Sequence, residues 1–344
     1  MRKPIYIRGA EQVSIQKPLC EEWMETPIVY DVEYTRSIDP DFKQFLSPIE
    51  ARRMGKILKR AVATSLRTIE KCGVKQPDAI ITGTGLGCIE NTELFLDALC
   101  KEGEEFLKPT HFMQSTHNTI SSLLAIQTKT HGYNVTYAHK GISFDSALFD
   151  AYMQFLLGKI GSALIGGHDE MTPSYFTLLK KAGYLGCEGM VTAGETAVSI
   201  MLSSAKEDAM CEISSMRMLY SPTDAKIAST IEKMLLESNL QSDGIGAIVT
   251  GVNGNKANDE AYRHIIEATR LNVPRLKYKH IFGESYTASG LGLYAAAHCL
   301  HKREVPAHMI YEGDKEPQTG KAMLLINHSD GKTITFTLIK SITQ

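Results

Sequence analysis

Residues 135–173, VTYAHKGISFDSALFDAYMQFLLGKIGSALIGGHDEMTP, decide how the rest of the chain is read. The stretch predicts a buried strand, a tight turn, a helix over about Ser143 to Leu157 and a second buried strand ending at Gly166-Gly167. Ala147, Leu148, Ala151, Tyr152, Phe155 and Leu156 make the helix apolar on nearly every side, and Gly158 stops it. A helix of that kind belongs in the middle of a core. A turn feeding it is where α/β enzymes mount a nucleophile, because backbone N–H groups at a helix N-terminus stabilise an anion. No cysteine stands in this turn.

The 344 residues suffice for one large core or two fused halves, and 43% apolar with 22% charged residues is an ordinary globular balance. Lys plus Arg number 37 against 39 Asp plus Glu, which gives no reason to expect a nucleic-acid or anionic-membrane partner. No apolar run approaches the roughly 18 residues of a membrane span, and MRKPIYIRGAEQVS lacks the apolar core of a signal peptide. Seven scattered cysteines without a C-x-x-C pair argue against a disulfide framework or a zinc site and for a reducing cytoplasm. Each is read as a small buried hydrophobe.

Working outward, residues 1–46 predict a short strand and a long arm with one further strand at Pro27–Val32. Ser47, Pro48 and Glu50 open a helix with a capping box, which Gly73 closes. DAIITGTGLG (78–87) is a strand breaking into a glycine turn; Thr92–Lys101 and Ile120–Lys129 are helices, and 174–192 a surface excursion. AGETAVSIMLSS (193–204) closes the first half with a strand. The second half repeats the order: a helix from Ala228 to Leu240, the strand GAIVTGVNG (246–254), a core helix over Tyr286–Leu300, and the strands KAMLLINHS and TITFTLIKSI. Alternating strands and helices predict an α/β fold with mostly parallel pairing, and the duplication predicts two similar halves, 1–202 and 203–344.

Seven segments in the right order resemble the β-ketoacyl synthase family, the thiolase-like condensing enzymes. They are FLSPIEARRM, ITGTGLGCIENTELFLDAL, FMQSTHNT, GSALIGGHDEMTP, AGETAVSIML, GVNGNKANDE and YKHIFGESYTASG. The resemblance implies a thiolase-like α/β fold of two βαβαβ halves stacked as alternating α and β layers. It implies a chemistry of one cysteine and two histidines. A thiolate accepts the acyl chain, backbone N–H groups hold the oxyanion, and two imidazoles assist decarboxylation and stabilise the enolate.

Carried across, the cysteine falls on Gly141, or on His139 if a small insertion is allowed. The first histidine falls on Gly251, because Asn258-Asp259 fix the register, and the second on Glu284; Lys279 matches the family lysine. The glycine-rich loop that donates an oxyanion N–H shortens to NHSDGK, 327–332. Ile142, Ser143, Asn253 and Asn327 take the substrate-facing positions, and no metal or cofactor is expected. The expectation is a subunit without condensing activity, of the chain-length-factor class, paired with an active ketosynthase in fatty-acid, polyketide or aryl-polyene synthesis. An acyl carrier protein is its mobile partner, and 111–135 with 160–172 form the contact. Two alternatives stay open: an acyltransferase or 3-oxoacyl-[acyl-carrier-protein] synthase using Ser143, His139 or Glu284, and a stand-alone homodimer that binds acyl chains or carrier protein.

The residues also carry structural readings. Ser143 reads as a helix N-cap, with His139 or His117 as the base a nucleophilic serine would need. Glu284 reads as a carboxylate at a helix start, Lys279 as its salt-bridge partner, and His117 as a core histidine. His168, Asp169 and Glu170 are adjacent and cannot all face one metal. GTGLG carries Glu90 where a dinucleotide motif needs its third glycine. Met113, Met153, Met171, Met190 and Met201 read as core packing, with an acyl tunnel as the functional option.

Overall fold

The structure is a computed structural model that describes residues 4–342, so the first three and last two residues of the two expected halves lie outside it. Ten strands make one sheet: β1 (Ile5–Val13), β2 (Ala79–Gly83), β3 (Tyr133–Tyr137), β4 (Ser162–Asp169) and β5 (Thr196–Ser203), then β6 (Cys211–Tyr220), β7 (Ile245–Thr250), β8 (Arg275–Lys277), β9 (Ala322–Ser329) and β10 (Thr333–Lys340). The helices are α1 (Pro48–Arg53), α2 (Lys56–Cys72), α3 (Ile89–Glu102), α4 (Pro109–Ser115), α5 (Thr119–Thr128) and α6 (Ser143–Leu156). After them come α7 (Pro173–Lys181), α8 (Asp224–Glu237), α9 (Lys256–Thr269), α10 (Lys279–Phe282) and α11 (Ala288–Lys302).

Across the sheet the order is β3-β2-β4-β5-β1-β6-β10-β9-β7-β8. With the second five strands counted from one, it reads the same from either edge. The two strands that look alike in sequence, β2 and β7, each stand second from an edge. Pairing is mixed rather than mostly parallel. The pairs β2–β3, β2–β4, β7–β8 and β7–β9 run parallel, while β1–β5, β1–β6, β4–β5, β6–β10 and β9–β10 run antiparallel. The tight turn from Ser329 to Thr333 leaves β9 and β10 no other choice.

Three apolar clusters give the layers. One gathers Phe144, Ala147, Leu148 and Phe155 of α6 with Leu291, Tyr294 and Ala295 of α11. The second lies under α2 and α5, and the third under α8 and α9. Helices α6 and α11 therefore sit between the two halves of the sheet, as the apolar sequence of α6 predicts. The close seating of α6 depends on Gly83, where an added Cβ would collide with the backbone of Ser143 and Phe144.

Several expectations are corrected. The strand opening the 135–173 stretch is not buried; β3 is an edge strand, exposed at Tyr133 and half-buried from Val135. The helix expected to run unbroken from Ser47 to Gly73 has its capping box but breaks at Met54-Gly55, whose extended backbone starts α2 afresh. Pro27–Val32 is irregular rather than a strand, and the 174–192 excursion contains α7. Cys100 and Cys187 are exposed, whereas Cys72, Cys88, Cys211 and Cys299 are buried as expected. From Ala163 onward β4 is an interior strand, so of the expected contact segment 160–172 only 160–162 reaches the surface, whereas much of 111–135 is exposed or half-buried.

Candidate functional site

The turn Lys140–Ile142 delivers the chain into α6, with Lys140 in the left-handed region at φ 47°. Ser143 is the first helical residue, and its hydroxyl does not cap α6. The Ser143 Oγ accepts the His139 backbone N–H at 2.7 Å and lies 2.7 Å and 3.0 Å from the carbonyls of Lys140 and Thr84. The N-cap reading therefore gives way to a brace that ties the turn to the end of β2. Among the described residues neither candidate base is bonded to this hydroxyl: the His139 ring meets Ser146 Oγ at 3.2 Å, and His117 is exposed rather than in the core.

Four predicted positions meet through one asparagine and one tyrosine. Asn327, near the end of β9, donates from Nδ2 to the Gly141 carbonyl at 2.9 Å and to Asp145 Oδ2 at 2.7 Å. Its Oδ1 accepts the Tyr262 hydroxyl at 3.0 Å. That hydroxyl occupies the space beside Gly251: a Cβ there would stand 2.5 Å from Tyr262 Oη, 2.9 Å from Lys279 Cε and 3.0 Å from Tyr278 Oη. Burial raises the pKa of both phenols, so they remain neutral hydrogen-bonding groups.

Lys279 reaches across to Glu284 with Nζ 2.9 Å and 2.8 Å from the two carboxylate oxygens, and both residues are buried. The amide of Asn253 donates to Glu284 Oε2 at 2.6 Å, and its own Oδ1 accepts from Asn258. Glu284 does not begin a helix. It lies between α10 and α11, its N–H bonded to Thr192 O and its carbonyl to Gly194 N. The salt-bridge reading of Lys279 holds; the helix-start reading of Glu284 does not.

Asp145 was missed, as were Tyr262 and Tyr278. Asp145 accepts from Ser289 and Asn327 on one oxygen and from Thr335 on the other, each at 2.7 Å. Full burial raises its pKa against the pull of those donors. Beside it is a cavity of about 20 Å³, room for roughly one water, bounded by Asp145, Tyr278, Ser289, Asn327 and Thr337. A signal was available: Asp145 is a carboxylate set between Phe144 and Ala147-Leu148 in a helix read as apolar on nearly every side.

The remaining candidates disperse. Cys88 lies in the outer cluster under α2, where burial pushes its thiol up, away from Gly141 and Glu284. Asp169 accepts from Thr84 Oγ1 and the N–H groups of Gly85 and Leu86, so the GTGLG turn cradles a carboxylate of its own chain. Glu170 turns instead to the Glu90 N–H at 3.0 Å. Among the described residues no group of three or more His, Cys, Asp or Glu is placed to hold a metal. The methionines do not line one channel: Met113 and Met153 are on the surface, Met201 lies in the cluster under α2, and Met171 packs with Met190 in another.

His168 is fully buried, its ring packed over Gly166, with no partner for either ring nitrogen among the described residues. Burial drops its pKa from 6.5 to about 3. The unfolded chain therefore takes up this proton below pH 6.5 while the native one refuses it, and stability falls as pH drops from 6.5 towards 3. Asp169 and Glu170, pushed up to about 6 and about 7, work in the opposite sense: their contribution is lost as pH rises through those values. His168→Leu should raise stability at neutral pH by about 1–3 kcal/mol, the cost of an unpartnered buried polar group. It should also move the acid-unfolding midpoint down, which urea melts at pH 4.5 and 7.5 will check.

The family model for the beta-ketoacyl synthase N-terminal domain matches residues 21–243. The chain belongs to the beta-ketoacyl synthase family. It is 25% identical over 131 residues to 3-oxoacyl-[acyl-carrier-protein] synthase 2 of Mycobacterium leprae, covering 37% of this chain and 31% of that protein. The chain thus matches about a third of the length of that curated relative. Its fold superposes on the ishigamide ketosynthase/chain length factor with a TM-score of 0.81 at 17% identity, covering 100% of both chains. The complex of the ketosynthase ApeO with its chain length factor ApeC from Xenorhabdus doucetiae gives 0.77 at 14% identity, covering 99% of this chain and 98% of that one. A beta-ketoacyl synthase from Burkholderia phymatum gives 0.76 at 15%, with 100% of both covered. The mixed α/β architecture is therefore the thiolase-like ketosynthase fold. Among the described residues no helix is long and apolar enough to cross a membrane.

Proposed function

We propose that this family member has given up condensation and serves as a chain-length-factor-type subunit, joined to an active ketosynthase and visited by an acyl carrier protein. The observation that carries the reading is the filled space at Gly251. Where the family motif calls for an imidazole, two phenol oxygens and a lysine side chain already stand. The second histidine position, Glu284, is a carboxylate held by Lys279 and Asn253. An anion so placed would oppose an enolate rather than stabilise it. At Gly141 the case differs: a Cβ would meet nothing within 4 Å. Ser143 is a poor substitute nucleophile, because its hydroxyl is engaged with backbone on every side.

The partner reading draws on β3. This edge strand pairs only with β2 among the described residues; α5 packs beside it with Ile126 at 74% exposure, and Tyr133 on the strand is itself exposed. An open edge flanked by apolar side chains suits a partner that continues the sheet. The chains matched in fold include a ketosynthase in complex with its chain length factor and one complexed with an acyl-carrier protein. The two halves, 1–202 and 203–344, are proposed as its structural units.

The test is condensation of acyl and malonyl carrier-protein substrates by the chain alone and with a ketosynthase encoded beside it. No turnover alone, with a co-purifying heterodimer when both are expressed, is the expected result. Turnover by the isolated chain would overturn the proposal, and a stable homodimer that ignores the ketosynthase would move it to a binding role. Gly141→Cys should fold normally, gain one alkylation site by mass spectrometry and still fail to condense.

A further inference from the structure

A groove of about 450 Å³ adjoins the Glu284 end of the site through Val191 and Thr192, whose backbone bonds to Asn253 and Glu284; it lies between the arm 27–33 and the 187–192 loop, with α10 and His308 beneath. Its walls are apolar at Ile28, Val32, Met190 and Val191, with Ile281 below. Val29 and Val32 on the arm are 86% and 52% exposed, which is unusual for neighbouring β-branched side chains unless something covers them.

The charge is one-sided. Asp31, Glu33 and Glu188 stand on the groove, and neither a lysine nor an arginine lines it. Glu33 is paired with Lys180, whereas Asp31 and Glu188 have no ion-pair partner among the described residues. The two imidazoles in the floor add no positive charge at neutral pH: burial lowers His280 to about 4 and also lowers His308. An anionic helix or a free fatty acid would be repelled here.

We propose that this groove docks an extended segment of a partner protein in which a lysine or arginine is set among apolar side chains. The groove is walled by seven consecutive residues, 27–33, on one side and six, 187–192, on the other, which sets the length of the segment it takes. Apolar side chains of that segment cover Val29 and Val32, and its cation meets Asp31 and Glu188. The inference goes beyond the subunit proposal, since it needs neither an inactive site nor a ketosynthase and fails separately from it.

Fluorescence anisotropy with two labelled seven-residue peptides tests it, one alternating valine with arginine and the other valine with glutamate. The arginine peptide should bind, more weakly as salt rises, and the glutamate peptide should not. Two lost surface ion pairs amount to about a tenfold loss of affinity for the arginine peptide in the Asp31→Lys/Glu188→Lys variant. That variant should gain binding of the glutamate peptide, and both positions are exposed, so its thermal midpoint should not move. Equal binding of both peptides, binding of neither, or affinities untouched by the charge reversal would each overturn the proposal.

Discussion

Lys279→Met is expected to destabilise the protein by about 3–5 kcal/mol, the cost of leaving one member of a buried ion pair without its partner. Glu284 cannot relax into water: it is 8% exposed, and its backbone is fixed on both sides by Thr192 and Gly194. Among the described residues Asn253 would remain as its only side-chain donor. The double variant Lys279→Met/Glu284→Gln should recover most of the loss, because a neutral amide in the same place carries no uncompensated charge. Urea melts of the wild type, the single and the double variant measure the coupling directly. If the single variant loses under 1 kcal/mol, the pair is not a buried one and the electrostatic argument about Glu284 fails with it.

A loss of about the same size, 3–5 kcal/mol, is expected for Arg60→Met. Arg60 lies near the start of α2 with no exposed surface; its Nε contacts Asp39 Oδ1 at 2.5 Å and its Nη1 contacts Glu195 Oε2 at 2.8 Å. Glu195 also accepts the Ser37 N–H at 2.8 Å and the Met171 N–H at 3.3 Å. One guanidinium therefore holds the arm at residues 37–39, the end of the sheet and the entry to α7 together. Its removal should lower the urea midpoint and open residues 35–46 to limited proteolysis before the chain unfolds globally. Cleavage elsewhere first would show that the arm is held by other contacts.

Much of this was legible in the sequence, and the exceptions have physical causes. The apolar run of α6, the Ser47–Glu50 capping box and the likeness of β2 to β7 are local or periodic signals, and each appears in the structure where the pattern places it. Strand burial was not legible for β3, since an edge strand and an interior one share the same β-branched and aromatic composition until their neighbours are known. Mixed pairing was hidden for the same reason. In the site, the motif register brought Gly141 and Asn327 together, and Gly251 with Lys279 and Glu284. What it could not supply were groups from elsewhere in the chain that fill the gaps. Tyr262 comes from α9 and Tyr278 from the residue before α10, and nothing in the spacing says that their hydroxyls stand where a glycine leaves room. Arg60 was invisible inside a helix pattern that looked only at its apolar face.

The plugged space at Gly251 bears on whether chemistry could ever be put back. A thiol at 141 needs one codon and encounters no obstacle. An imidazole at 251 must evict a phenol oxygen and a lysine methylene together, and the evicted lysine is what keeps Glu284 neutralised. Beyond residue 141, each step towards a working triad is therefore downhill in stability before it is uphill in rate. A protein in that position can drift in sequence for a long time without retracing its path, and an engineer would have to change Gly251, Tyr262, Lys279 and Glu284 in one move.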